Sequence, residues 1–453
     1  MKIYHGILVP TSVFTLWNCI GLLPYPVRTD RASPTHRIVK WVLRIWTILI
    51  LLLYCYFYAI EIIIFTRTYH AELIDLEFFT LVLAIYREYA FVLPIVVLLI
   101  LFIKRRTVPR LVIAVEASVA DILDMAQIKF VRQFHHISLV VILMIAAGSA
   151  YCSYAGFDLM ISEMRILNPN ASWSSRQPLF IVPGKALSYR AVGGIYGSAL
   201  SYTTLCWSIP AILIVGLVLA IGYGFANIRR ELRTLSNESY VKCGCIFEVC
   251  QRIARLRHDH RRLRSAVNEI NTSVAFIIIL STLGDIIMPV SLISKILQEE
   301  SKDLQSNFQN ECQKYGVYFF SICAILQGML RIFIFVWMHE QATRAKAHLH
   351  DIGLHAVDEA IRDDARSFEQ ELVENEDEMA VSGNGFFSMT KLFAATLFGI
   401  NLTYFLLIYQ QKDQKGDLDK VSQAQAAAFR RLAAQIESLS QRLNETLREC
   451  SVR

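Results

Sequence analysis

The last long apolar run of this 453-residue chain ends in Asn401-Leu402-Thr403-Tyr404-Phe405-Leu406-Leu407-Ile408-Tyr409-Gln410-Gln411. A Thr-Tyr pair and two glutamines bracket five apolar residues. Hydroxyls and amides lose their water partners on entering hydrocarbon, so these groups belong against protein or a water-filled path. The chemistry they offer is polar contact along a conduit rather than bond cleavage. A second set is charged. Arg87, Glu88 and Asp285 stand inside otherwise apolar stretches, where a charge costs at least about 2.5 kcal/mol on insertion scales. Each must face protein or water, and Asp285 is placed either to contact a polar ligand or to pair with a basic residue of a neighbouring helix. Arg331 and Lys391 lie nearer the ends of their runs and read as snorkelling or stabilising the adjoining polar region. A third set is aromatic. Tyr86, Tyr89, Tyr151, Tyr154, Tyr202, Trp207, Tyr318 and Phe319 fall in the same halves of their runs, joined by Met288. Rings with a few polar groups make small-molecule pockets, although rings near a membrane boundary also serve as belt or core residues.

No enzyme motif accompanies these residues. The sequence has no HExxH, P-loop or Gly-x-Ser-x-Gly pattern. His258/His260 and His348/His350 are spaced by two, which separates each pair around a helix. Cys243, Cys245 and Cys250 lack a fourth ligand for zinc. No catalytic residue, metal or cofactor is expected.

The elements that position these residues are membrane helices. The chain is 54% hydrophobic and 19% charged, against about 25% charged in an average soluble domain. Seven stretches reach the length of about 20 residues that a bilayer requires: 41–65, 78–103, 138–156, 201–227, 271–296, 316–338 and 387–411. None alternates as a membrane barrel would, so the fold class is all-α and polytopic. The N-terminus, with Lys2 before an apolar stretch over 6–23, imitates a signal peptide. Pro10, Asn18 and the missing cleavage site make it a short membrane-associated lead-in instead.

Seven spans put the termini on opposite sides. With the N-terminus inside, the segments 1–40, 104–137, 228–270 and 339–386 hold 25 Lys and Arg, more than the opposite loops and tail together. The positive-inside rule therefore sets the N-terminus in the cytoplasm and the C-terminus outside. That orientation is opposite to a G-protein-coupled receptor. The sequon at Asn170 then lies on an external loop and can be glycosylated, whereas those at Asn237 and Asn271 should be silent. The net charge of +6 reflects this topology and not a nucleic-acid partner.

The organisation reads as 1–40, a cytoplasmic segment; 41–227, transmembrane helices one to four; and 228–270, a cytoplasmic helical extension. Then come 271–338, helices five and six; 339–386, a second extension and linker; 387–411, the last span; and 412–453, an external tail. Ile246, Val249, Ile253 and Leu256 recur at helical spacing in the first extension. Leu349, Ile352, Val357, Ile361, Phe368 and Leu372 do so in the second. Twelve acidic residues in 339–386 keep that connector off an anionic lipid surface. Ser382-Gly383-Asn384-Gly385 breaks the chain before the last span. In the tail, Phe429, Ile436, Leu443 and Cys450 recur every seven residues, with Leu432, Leu439 and Thr446 three further on, as in a coiled-coil seam. A single amphipathic helix is the alternative.

The terminal motif resembles the signature of the insect gustatory receptor family: Thr-Tyr, five hydrophobic residues, Gln and Phe. Thr403, Tyr404 and Gln410 match, and Gln411 stands where the family has Phe. Gly21-Leu22-Leu23-Pro24-Tyr25 is similar to the family's N-terminal segment, and size and topology agree along the chain. The 42-residue tail departs from it. The resemblance implies a homotetrameric or heterotetrameric ligand-gated cation channel in the plasma membrane. The seventh helix lines the pore, the extensions form an anchor, and a small-molecule tastant binds in the outer half of each subunit. It implies a gate at Gln410 and Gln411. Because Gln411 cannot form a dry ring, Ile408 or Tyr409 would supply the constriction. The absence of a Glu after the Thr-Tyr pair points away from the sugar-receptor branch. The alternative reading is a seven-helix membrane receptor or scaffold without a pore, and agonist-evoked current separates the two.

Overall fold

The structure, a computed structural model, describes residues 8–23, 34–69, 78–167, 181–182, 185–186, 189–237, 246–300, 308–407 and 409–410, with some side chains near the helix ends left undescribed. The helices are α1 (Thr11–Cys19), α2 (Pro34–Tyr69), α3 (Phe78–Ile103), α4 (Thr107–Val119), α5 (Met125–Leu167), α6 (Tyr189–Asn237), α7 (Ile246–Glu300), α8 (Phe308–Thr343), α9 (Ala345–His355), α10 (Glu359–Glu374) and α11 (Lys391–Leu407). Among the described residues the only ladder is a two-residue antiparallel pair, Ile181–Val182 with Lys185–Ala186. The all-α class therefore holds.

Five stretches are long and apolar enough to cross a membrane: Ile38–Tyr56, Met125–Tyr151, Ser201–Asn237, Ile246–Ile287 and Ile322–His355. Two shorter apolar helices, Val92–Ile103 and Lys391–Leu407, complete the seven expected segments. A helix closes its own backbone hydrogen bonds, which is what hydrocarbon demands. Pro94, Pro210 and Pro289 sit inside α3, α6 and α7.

Helix α6 is the axis of the fold. Ile209, Leu213, Leu217, Val218, Ile221, Phe225, Ile228, Leu232 and Leu235 are all buried along it. Glycines bring neighbours close, as in other membrane bundles. A Cβ at Gly216 would run into His135 of α5, and one at Gly222 into Trp337 of α8. By contrast α2 leaves Ile38, Trp41, Val42, Ile45, Leu49 and Leu52 exposed, the surface a bilayer would cover.

Helices α6, α7 and α8 are longer than the expected spans 201–227, 271–296 and 316–338, and their ends at 228–237, 246–270 and 339–343 join α9 and α10 in a polar-faced bundle. Val249, Ile253, Leu256, Leu349, Ile352, Ile361, Phe368 and Leu372 form its core. Ile246 and Val357, read from the same periodicity, are exposed. Ile246 opens α7, and Val357 falls in the turn before Asp358, whose side chain caps α10 at the Ala360 N–H (2.8 Å). Arg257 (2.7 Å), Arg261 (2.6 Å) and Arg264 (3.7 Å) of α7 converge on Glu371 of α10. Hydrogen bonds from Arg261 and then Arg257 hold its carboxyl down to about 2. His260 is buried between the rings of Phe225 and Phe368, at 4.8 and 5.6 Å.

The lead-in segment packs into the protein. Leu8, Val9, Val13, Phe14, Trp17, Leu22 and Leu23 are buried. The buried carboxylate of Glu116 accepts the N–H groups of Leu8 (3.0 Å) and Val9 (3.3 Å). At the other end, three successive carbonyls take side-chain donors: Cys19 from Trp46 Nε1 (2.9 Å), Ile20 from Tyr202 (2.9 Å) and Gly21 from Thr47 (2.8 Å). Gly21 has φ 76°, the left-handed region where glycine is favoured.

The linker before α11 turns where the sequence breaks. Asn384 (φ 51°) and Gly385 (φ 81°) reverse the chain, and Ser382 pairs with Ser388. Asn271 of α7 clamps this turn. Its amide donates to the Ala380 carbonyl (2.9 Å) and accepts from the Ser382 N–H (2.8 Å). An asparagine so engaged fits the expectation that its sequon is silent.

Candidate functional site

The 280–285 segment of α7 is where the singled-out residues meet. Its residues present consecutive carbonyls whose second lone pairs are open to neighbours. Tyr89 of α3 donates its hydroxyl to Leu280 O (2.5 Å), and Arg331 of α8 donates to Ser281 O (2.8 Å). Trp207 of α6 packs edge-on to Tyr89 at 5.8 Å. Its indole lies directly on Gly284, where a Cβ would fall inside the ring. The next residue, Asp285, forms an ion pair with Arg331. Both side chains are almost fully buried, at 7% and 3% exposure. Gly328 of α8 leaves room for the Asp285 carboxylate. One turn earlier on α8, Gln327 accepts from Ser208 of α6 (3.1 Å).

Of the two roles open to Asp285, the structure therefore forms the interhelical pair. Arg331 is not a snorkelling residue. It is buried because an opposite charge and a helix carbonyl both lie within reach. Among the described residues, three donors in this cluster are buried without an acceptor: Gln327 Nε2, Arg331 Nε and Arg331 Nη1. The cluster so has spare donor capacity, and acceptor-rich oxygen groups are what such donors bind.

The other expected ligand contacts divide. Tyr202 packs with its ring tilted against Tyr54, centroids 5.4 Å apart, and is tied to the N-terminal segment through Ile20. It belongs to the clasp on residues 8–23 rather than to the α7 cluster. Tyr151 and Phe319 are exposed, at 68% and 58%. Backbones of Tyr86, Arg87, Glu88, Tyr154 and Tyr318 are helical, but their side chains, like that of Met288, lie outside the described residues, as does Asn170. Ser208, Gly284, Gln327 and Gly328 were not singled out in the sequence. The legible signal was the i, i+4 spacing of Gln327 and Arg331, with a glycine between, on one face of an apolar helix.

The terminal motif occupies α11. Thr403 bonds back to Gly399 O (2.9 Å) and Asn401 to Leu397 O (3.0 Å), which satisfies part of their polarity inside the helix. Phe405 stacks near Tyr409 at 6.4 Å. Leu402, Thr403, Tyr404, Phe405, Leu406 and Leu407 are all exposed. Six consecutive residues cover every face of a helix with 3.6 residues per turn. Tyr409 and Gln410 are exposed as well, while Ile408, Gln411 and the tail 412–453 with its heptads lie outside the described residues. At its start α11 is tethered by Lys391, which pairs with Glu340 of α8, and by Phe393 stacked on Phe387 at 4.8 Å.

Comparisons with known proteins agree with this architecture. The family model described as "Trehalose receptor" matches residues 8–420. The insect olfactory receptor OR5 from Machilis hrabei in complex with eugenol is similar in structure, with TM-score 0.55 at 11% identity, over 88% of this chain and 97% of that one. A second structure of OR5 gives TM-score 0.49 at 14% identity over the same shares. No curated protein matches the sequence. At these identities the likeness to OR5 is one of fold. The family match, which spans all of the described helices, is one of descent: the chain belongs to the trehalose receptor family, within the insect gustatory receptors.

Proposed function

We propose that this receptor is a subunit of a tetrameric, ligand-gated, non-selective cation channel of the plasma membrane, with α11 lining the pore. The observation that carries this reading is that α11 is exposed on every face over residues 402–407. A helix this apolar is stable beside other helices or lipid, yet Asn401, Thr403 and Gln410 place polar groups along it. Four copies around an axis would cover its apolar faces and turn the polar groups toward a water path. Thr403, Tyr404, Ile408, Tyr409, Gln410 and Gln411 would then line the conduit, with Ile408 or Tyr409 narrowing it. The N-terminus would be cytoplasmic, and the bundle of α9, α10 and the adjoining ends of α6, α7 and α8 would anchor the subunits.

The ligand would enter from the outer half and reach the α7 cluster. Tyr89 and Trp207 offer ring faces, and Gln327 and Arg331 offer unused donors. That combination suits a small hydroxylated tastant, and the family's description names a sugar. The missing Glu after Thr403-Tyr404 marks a departure from the sugar branch. The undescribed Tyr86, Arg87, Glu88, Tyr154 and Tyr318 are candidate walls of the same pocket.

The test is whole-cell current from cells expressing this chain alone, challenged with a tastant panel, beside particle images of the purified protein. A cation current lost on substitution of Gln410, with fourfold particles, supports the reading. Monomeric or twofold particles and no current would overturn it and favour a receptor without a pore.

A further inference from the structure

The turn that leads into α11 brings together two residues that can react with each other. Asn384 is followed by Gly385, and no other asparagine in the chain is followed by glycine. Both residues are exposed, and both have left-handed φ, 51° and 81°. Asn-Gly is the favoured pair for such a backbone at the centre of a tight turn. The Phe386 N–H bonds the Gly383 carbonyl (2.9 Å), and the Gly383 N–H bonds the Phe387 carbonyl (3.0 Å). The Gly385 N–H bonds nothing among the described residues. A Cβ built on Gly385 would meet no atom within 4 Å, so that side of the turn lies open to water. Other asparagines are placed differently. Asn227, Asn271 and Asn401 lie inside helices, where the next N–H is already bonded. Their side-chain amides are engaged as well, at 2.8, 2.9 and 3.0 Å.

We propose that Asn384 is a site of spontaneous succinimide formation, and that its isoaspartate product loosens the start of α11. The inference depends on neither the pore nor the ligand pocket. The Gly385 nitrogen gives up its proton to hydroxide and bonds to Asn384 Cγ. The side-chain nitrogen takes a proton from water and leaves as ammonia. A glycine suits the attacking position because it has no Cβ to crowd the approach. Water then opens the five-membered ring. Attack at Cγ gives aspartate. Attack at the Asn384 backbone carbonyl carbon gives isoaspartate, in which the main chain runs through Cγ. Overall a water is consumed and an ammonia released, with no change of oxidation state. The flanks of this turn are fastened while its tip is free. Val381 and Met389 are fully buried and joined by the Met389 N–H on the Val381 carbonyl (2.8 Å). Asn271 holds the Ala380 carbonyl and the Ser382 N–H. Isoaspartate inserts a backbone atom and a negative charge between these fixed points. The bonds of Gly383 and the Ser382–Ser388 pair give way first, and the segment into Lys391 with them.

The experiment ages the purified full-length protein in mildly alkaline buffer and follows each asparagine by peptide mass spectrometry. Isoaspartate is counted by methyl transfer from S-adenosylmethionine with an isoaspartyl methyltransferase. Conversion of Asn384 at least tenfold faster than any other asparagine, rising with pH and giving isoaspartate beside aspartate, supports the site. Asn384→Gln and Gly385→Ala should each bring methyl acceptance to background. Gly385→Ala strains a left-handed position, so Asn384→Gln decides should that variant fail to fold. Conversion no faster than at other asparagines, or aspartate without isoaspartate, overturns the proposal. Hydrogen exchange of peptides covering 389–394 reads the consequence. It should quicken at least threefold in the aged parent and stay unchanged in aged Asn384→Gln. Unchanged exchange in a parent that carries isoaspartate overturns the loosening of α11. No readout uses current, so a silent channel leaves this result standing, and a stable Asn384 leaves the channel reading untouched.

Discussion

Asp285→Asn keeps the shape of the side chain and removes the charge that balances Arg331. The guanidinium is only 3% exposed and retains the Ser281 carbonyl (2.8 Å), while its Nε and Nη1 have no other acceptor among the described residues. Truncating one partner of a buried pair of this kind costs about 3–5 kcal/mol, because the remaining charge is stranded. At about 2 °C per kcal/mol for a long chain, the melting temperature falls by roughly 6–10 °C. The assay is thermal unfolding of detergent-purified protein followed by tryptophan fluorescence, with surface expression in cells as a second readout. Arg331→Gln should cost a similar amount. The double variant Asp285→Asn/Arg331→Gln leaves two neutral amides in contact and should recover most of the loss, giving a coupling energy of about 2 kcal/mol or more. A single variant as stable as the parent would refute the buried pair. So would a double variant whose loss equals the sum of the singles.

His260 gives a pH dependence. Burial lowers its pKa from the ordinary 6.5 to about 4, helped by nearby Arg264 and opposed by Glu371 and by a hydrogen bond with the Ala342 backbone. The fold thus holds it neutral, so stability is full above pH 6.5 and declines as pH falls toward 4, by about 3 kcal/mol in all. His260→Leu should flatten that decline in melting temperature, and a parent profile flat from pH 7 to 4 would contradict the reasoning. Gly284→Ala drives a methyl into the Trp207 indole and should cost about 1–3 kcal/mol as an overpacked contact. Adding Trp207→Leu should relieve part of the loss, and independent effects of the two changes in thermal unfolding would count against the contact.

How much of this was legible in the sequence follows from the physics of each part. The seven apolar helices and their polar extensions were, because hydrocarbon enforces length and composition and the bundle enforces a helical period. Val249, Ile253, Leu349 and Phe368 landed in the core for that reason. The break at Asn384-Gly385 was legible because two left-handed residues announce themselves. Pairings between helices were not. Nothing in the sequence links Arg331 to Asp285, 46 positions apart, or Tyr202 to Ile20. Composition marks which residues need partners and not which helix supplies them. The lead-in segment shows the same limit. Its apolar residues suggested lipid, while its burial depends on Glu116 reaching the N–H groups of Leu8 and Val9.

The unbroken length of α7 has a consequence for where such chains can gain or lose residues. His260 and Asp285 are 25 positions apart on one helix, which at 3.6 residues per turn is about seven full turns, so the two point in nearly the same direction. Inserting a single residue between them would swing one through about 100° relative to the other and advance it by about 1.5 Å. Either the histidine would leave its aromatic slot or the aspartate would lose Arg331. Helices α6 and α8 pass alongside without interruption, so a tolerated change would have to enter all three at once and in phase. Length variation among relatives should therefore gather in the segments between helices. An aligned gap inside 260–285 would mark a chain whose anchor and membrane cluster are wired differently.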